Sequence, residues 1–141
     1  MTNNQPITPL FKDHTPTHMY AEGLVDDSKG LSIFLSHPDR PDRILCIYFY
    51  AFYAYQSTNE TYRHGLVESL EGISGTVFLS GNSGWVRYLV EESGGLLHEL
   101  PLRHYIVVTI DDCIDIATKH EPVLTWLPRA DFVRRLELRT V

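Results

Sequence analysis

The side chains best suited to acid–base chemistry are histidines that lie near carboxylates in the last third of the chain. His98 precedes Glu99, His104 follows six residues later, and His120 lies sixteen residues beyond that. Imidazole gains and loses a proton near neutral pH and also binds zinc, so these residues could serve catalysis or a metal. Their spacings match no metal-binding motif, and no metal is predicted.

His104 has the sequence surroundings of a core residue. It opens an apolar stretch in which alternate residues share a face, so Ile106 and Val108 are its neighbours on that strand. No polar partner stands beside it there, which predicts a buried histidine with one hydrogen bond. The alternative is a small, hydrolase-like enzyme with a His/carboxylate site. Its acid–base residues would be His104, His98, Glu60 and Asp115.

Three carboxylates fall within five residues, at Asp111, Asp112 and Asp115. Carboxylate oxygens suit Mg²⁺ or Ca²⁺, but the stretch lacks the glycine and the distal glutamate of a calcium loop. Aspartate is also favoured in tight turns, because its side chain bonds the local backbone. The sequence therefore predicts a turn, with neither a metal ion nor another cofactor.

Two more polar groups lie at the predicted helices. Glu60 and His64 are four residues apart and would share a helix face beside Arg63, as an acid–base pair or as a solvated surface. Residues 80–84 (Ser-Gly-Asn-Ser-Gly) precede the next helix, where free amides attract anions. They lack the lysine of a phosphate-binding loop and the order Gly-x-Ser-x-Gly of a nucleophile elbow. Helix capping is the prediction for this loop.

Hydrophobic patterning predicts an α+β fold with a mostly antiparallel sheet of about five strands, covered by two or three short helices. The strands are expected at residues 31–35, 43–55, 76–79, 103–110 and 113–117. The helices are expected at residues 60–70, from 85 to the glycines at 94 and 95, and after Asp131. Residues 43–55 are aromatic and β-branched, which predicts the central strand, with a bend near Tyr50 and Ala51.

The first residues differ in composition from the rest of the chain. Three prolines among polar residues predict an extended or flexible arm at residues 1–22. The remainder, residues 23–141, is predicted to be a single domain, because the length supports one good core. The chain shows no basic, apolar leader, and its longest apolar run is too short to span a bilayer. A cytoplasmic location is expected.

The net charge is −6, and it is unevenly distributed. Four arginines and two acids in residues 129–141 leave +2 there and −8 on residues 1–128. An acidic body repels nucleic-acid phosphates and anionic membranes, and favours a basic protein partner.

The two cysteines, Cys46 and Cys113, form no CxxC motif and are expected to be reduced thiols.

A protein-binding function accounts best for these features, because no nucleophile–base set follows from spacing alone. Acidic groups with tyrosines beside them would contact the partner. The predicted contact residues are Asp111, Asp112, Asp115, Glu91, Glu92, Tyr53 and Tyr55. Bacterial immunity proteins, which neutralise a cognate toxin, have this physical profile, although the analogy is one of class only. A homodimeric structural protein is a further alternative.

Overall fold

The computed structural model describes residues 6–137, which form nine β-strands and three α-helices. The strands are β1 (Ile7–Leu10), β2 (Tyr20–Asp27), β3 (Gly30–Ser36), β4 (Arg43–Phe49), β5 (Ala54–Asn59), β6 (Val77–Ser80), β7 (Arg103–Val108), β8 (Asp112–Thr118) and β9 (Val123–Pro128). The helices are α1 (His64–Ser69), α2 (Gly84–Glu92) and α3 (Arg129–Glu137), and a 3₁₀ helix (Glu60–Tyr62) precedes α1.

The strands form two sheets in which each pairing is antiparallel. One sheet has five strands in the order β1-β6-β7-β8-β5, and the other has four in the order β2-β3-β4-β9. The main core lies between them. It consists of Leu31, Ile33, Leu35, Leu45, Ile47 and Phe49 from the four-stranded sheet, Val77, Tyr105, Val107, Ile114 and Ile116 from the five-stranded sheet, and Met19. Alternation along each strand sends these side chains to one face.

Helices cover the outer faces of both sheets. On the four-stranded sheet, Phe132 of α3 packs on Phe34, with ring centroids 4.9 Å apart. On the five-stranded sheet, Leu66 of α1 packs against Phe78 and Ile106. Each sheet therefore buries apolar side chains on both of its faces, as expected for a layered α+β domain.

Residues 43–55 form two strands instead of one. The bend predicted near Tyr50 and Ala51 is confirmed, but it separates β4, inside the four-stranded sheet, from β5, at the edge of the five-stranded sheet. The hydroxyl of Thr118 donates to the Ala51 carbonyl at 2.6 Å, and the Tyr53 amide donates to the Ala117 carbonyl at 2.8 Å. These bonds fix the crossing from one sheet to the other.

The antiparallel α+β architecture is confirmed, whereas the prediction of one sheet with about five strands is wrong. The strands that were missed, β1, β2 and β9, are all edge strands, and β5, read as the end of a longer strand, is the fourth edge. Edge strands tolerate residues that disfavour a central strand, such as Pro9 in β1 and Gly23 in β2. Pattern reasoning finds central strands more readily for this reason.

Part of the predicted N-terminal arm pairs with the body. β1 runs antiparallel to β6, with Ile7 opposite Ser80. Met19 is fully buried in the main core, and its carbonyl accepts a hydrogen bond from the Ile110 amide. Since β2 begins at Tyr20, the boundary predicted at residue 22 falls inside this strand.

Replacing Gly30 with alanine is expected to lower the free energy of unfolding by more than about 2 kcal/mol. Gly30 has φ of +126°, and a Cβ atom there would lie 2.4 Å from the Phe49 carbonyl oxygen. Gly65→Ala is the control, because nothing lies within 4 Å of that position in α1. It should leave stability unchanged or raise it by up to about 1 kcal/mol. Urea denaturation measures both variants, and equal stabilities would contradict the expectation.

Candidate functional site

His104 and Asp115 meet on the outer face of the five-stranded sheet, where Nε2 of the imidazole lies 2.7 Å from Oδ1 of the carboxylate. They belong to β7 and β8, whose register pairs Ile106 with Asp115. His104 is therefore the diagonal neighbour of Asp115 on one face. The hairpin reverses at Ile110 and Asp111, one residue before the predicted turn, since the Thr109 amide donates to the Asp112 carbonyl at 2.8 Å.

The Asp115 carboxylate accepts three sets of donors although it has no exposed surface. Besides His104, Arg63 reaches Oδ2 with Nη1 at 2.5 Å and Oδ1 with Nη2 at 3.3 Å. The side-chain amide of Gln56 donates to Oδ2 at 3.0 Å. Burial by itself raises the pKa of Asp115, but the hydrogen bonds from His104, Arg63 and Gln56 outweigh it and lower the pKa to about 2. The group is therefore an anion at neutral pH.

Ser83 completes a chain of hydrogen bonds on the other side of the imidazole. Its Oγ lies 2.8 Å from Nδ1 of His104 and also accepts the Val86 amide at 3.1 Å, as the N-cap of α2. An ionised Asp115 can only accept, so in the neutral ring Nε2 carries the proton and donates to it. Nδ1 then accepts the Ser83 hydroxyl. The order Ser83–His104–Asp115 is that of a nucleophile, a base and an orienting carboxylate.

Local sequence explains how Ser83 reaches His104. β6 ends at Ser80, directly opposite His104 in the sheet. Asn82 then turns the chain with φ of +49°, a conformation that asparagine tolerates better than most residues, and Arg87 bonds its side-chain oxygen at 2.6 Å. Ser83 follows in extended geometry and begins α2. The predicted helix-capping role of the loop at residues 80–84 is confirmed.

The site is covered but not sealed. The Trp85 ring is tilted over the His104 ring, with centroids 4.9 Å apart. His104 is 5% exposed and Ser83 is 7% exposed. The Arg63 side chain is 22% exposed, so the charged network continues toward solvent at that side. Within residues 6–137, Oγ of Ser80 is buried with no hydrogen-bond partner.

The four residues of the predicted His/carboxylate site divide into two groups. His104 and Asp115 are in contact, as described above. His98 lies exposed in the turns after α2, and Glu60 is exposed at the start of the 3₁₀ helix. In the described part of the chain, neither side chain forms a hydrogen bond or an ion pair with this network. Ser83 was missed as a partner of His104 because it comes from a different element, 21 residues earlier.

The predicted partner-binding residues lie in different environments. Exposed residues are Asp111, Glu91, Glu92 and Tyr53, and half-buried residues are Asp112 and Tyr55. Asp115 is fully buried, so a docking protein could not touch it. Across the ranges that the structure describes, no cluster of three or more His, Cys, Asp or Glu side chains is arranged to hold a metal ion.

Comparison with protein-family models, curated proteins and solved structures found no match to this chain. Between residues 6 and 137, no helix is both long enough and apolar enough to cross a membrane.

The pKa of Asp115 gives a pH window for stability. An unfolded aspartate has a pKa of about 3.9, so ionised Asp115 favours the folded chain by about 2 kcal/mol at neutral pH. Because the folded pKa is the lower one, this contribution is complete above about pH 4 and is lost as the pH falls toward 2. Carboxyl ¹³C NMR of the folded protein should show Asp115 becoming protonated only as the pH falls toward 2. Protonation of Asp115 above pH 4 would contradict the assignment.

Two arginines, Arg63 just before α1 and Arg103 in β7, form ion pairs that differ in burial. Arg63→Met should lower the free energy of unfolding by about 3 kcal/mol, because it leaves a buried carboxylate without its positive partner and without two of its hydrogen bonds. Arg103→Met removes an exposed pair with Glu121, at 3.5 Å, and a contact with the Tyr105 hydroxyl at 3.3 Å, and should cost clearly less. Urea denaturation at pH 7 compares the two. If Arg63→Met lost no more unfolding free energy than Arg103→Met, the hydrogen bonds of Arg63 to Asp115 would add little to stability.

Proposed function

We propose that this chain is a cytoplasmic protein-binding domain that docks a basic partner protein through helix α2. Its two free cysteines suit a reducing compartment. The observation that carries the proposal is the incomplete burial of α2. None of its nine residues is buried, although it carries a run of large apolar side chains.

The apolar side of α2 is only partly covered by the rest of the domain. Trp85, Val86, Leu89 and Val90 recur at helical spacing, and all four are half-buried. Tyr88, on the same helix, is 56% exposed, and Leu96 in the turns that follow is 86% exposed. Large apolar and aromatic residues left at a surface are typical of protein contact sites. A partner that packs here would complete the burial of the helix.

The charge around α2 favours a basic partner. Glu91 and Glu92 end the helix and are exposed, and Glu99 follows in the next turns. The nearby cation, Arg87, bonds both oxygens of Asn82. Complementary charge at an interface speeds encounter and selects orientation. We infer an inhibitor of the immunity type, which masks a basic protein such as a toxin, by analogy of physical class.

A photo-crosslinking residue tests where the partner binds. p-Benzoylphenylalanine replaces Tyr88 in cells that express the chain, and the same residue replaces Tyr50, 68% exposed at the crossing between the sheets, as the control. A basic protein crosslinked from position 88 and not from position 50 is expected. Crosslinks only to a second copy of this chain would favour the homodimer instead, and an acidic partner would contradict the proposal.

Charge reversal then tests the binding surface with the purified partner. Glu91→Lys together with Glu92→Lys should raise Kd at least about tenfold, through two lost charge contacts of roughly 0.7 kcal/mol each. Asp39→Lys with Asp42→Lys makes the same change of net charge in the loop before β4, and should leave Kd nearly unchanged. Equal weakening by both pairs would mean that only overall charge matters, and the α2 surface would be rejected.

A further inference from the structure

We propose that Ser83 is a nucleophile, activated by His104, that transfers small acyl groups from esters to water, with Asp115 as the positioning residue. The inference is independent of partner binding by α2. It rests on the way in which three elements converge: the N-terminus of α2, β7 and β8. Ser83 and Asp115 occupy opposite ring nitrogens of one imidazole, at 2.8 Å and 2.7 Å.

The direction of each hydrogen bond suits general-base catalysis. Nε2 donates to the carboxylate, which fixes the tautomer and the plane of the ring. Nδ1 is thereby left as an acceptor facing the Ser83 hydroxyl. Either ring nitrogen can take the proton of a nucleophile, provided that the other is held by an acceptor. The ionised Asp115 also stabilises the imidazolium that forms during the reaction.

The start of α2 could stabilise a developing oxyanion next to Ser83. The Val86 amide is used by Ser83 itself and the Arg87 amide by the Ser83 carbonyl. The amides of Gly84 and Trp85 come before them and have no intrahelical acceptor, as at every helix start. A second observation supports a ligand here. The hydroxyl of Ser80, directly across the sheet from His104, is buried and has no partner within the described residues.

The proposed reaction has two balanced halves. The Ser83 Oγ attacks the ester carbonyl carbon while its proton passes to Nδ1 of His104. The tetrahedral intermediate then collapses, the C–O bond to the alcohol breaks, and the alcohol leaves with the proton from His104. In the second half, water attacks the acyl-serine, His104 accepts its proton and returns it to Ser83 Oγ, and a carboxylic acid is released.

The surroundings of Ser83 restrict the substrate. The residue is only 7% exposed, and Trp85 stands over the imidazole beside it. So little exposed surface at the nucleophile favours a small acyl group, such as acetyl, over long or branched chains. Short-chain esters are therefore the substrate class, and p-nitrophenyl acetate is the test substrate.

Covalent labelling of the wild-type chain is the primary test. Methanesulfonyl fluoride is no bulkier than an acetyl donor and sulfonylates activated serines, and peptide mass spectrometry locates the adduct. Labelling is expected at Ser83 and not at Ser93, the hydroxyl at the other end of α2, which bonds the Val90 carbonyl at 2.6 Å. Since the wild-type chain is used, a negative result could not be blamed on a misfolded variant. A folded chain that stays unlabelled at Ser83 would therefore overturn the proposal.

Kinetics with p-nitrophenyl acetate assign the roles. Ser83→Ala and His104→Gln should each lower kcat/KM at least about a hundredfold, whereas Ser93→Ala should leave it within about twofold. Asp115→Asn should lower the rate and move the pH–rate profile to lower pH, since the imidazolium loses its anionic partner; a purely structural residue would not move that profile. Circular dichroism confirms that each variant is folded. Wild-type rates equal to those of Ser83→Ala would refute the catalytic assignment.

Discussion

Asp115 is an anion without any exposed surface, and the outer layer of the five-stranded sheet is arranged around it. Moving a carboxylate out of water costs several kcal/mol unless hydrogen bonds and an opposite charge replace the lost hydration. Here the replacement comes from Gln56 on β5, Arg63 at the start of α1 and His104 on β7. Three separate segments must therefore be in place before the buried charge is tolerated.

The same carboxylate influences the position of α2 through the side chain of His104. By orienting His104, it presents Nδ1 to Ser83, whose hydroxyl also caps the helix. α2 is thus held at its first turn by polar contacts, whereas none of its residues is buried. This contrasts with α1, which buries Leu66, and α3, which buries Phe132. The polar attachment explains how α2 can have a fixed position and still leave apolar surface uncovered.

Sequence reasoning predicts the features that depend on neighbouring residues. The β7–β8 hairpin, the cap of α2 and the bend near Tyr50 all follow from local propensity and turn chemistry. Because alternate strand residues share a face, a two-residue turn also places His104 and Asp115 on one face of that hairpin. Their contact needs the register, and a turn centred one residue later would place Val108 opposite Asp115 and His104 out of reach.

The rest of the site depends on which strands become neighbours, and no local pattern determines this. Ser83 approaches His104 because β6 pairs with β7, and Gln56 approaches Asp115 because β5 pairs with β8. Both pairings join segments far apart in the chain. The edge strands were missed for a related reason, since their few hydrogen-bonded neighbours allow Pro9 and Gly23 in place of strand-forming residues.

The position of β4 has a consequence for synthesis on the ribosome. β4 pairs early with β3, but its second neighbour is β9, where Ile44 meets Leu127. Roughly 80 residues separate these partners, so at about 5–20 residues per second translation takes on the order of ten seconds to supply the second strand. Throughout that interval one edge of a strongly apolar strand has no partner. The edge of β4 that later pairs with β9 is thus an apolar segment of the kind that nascent-chain chaperones shield.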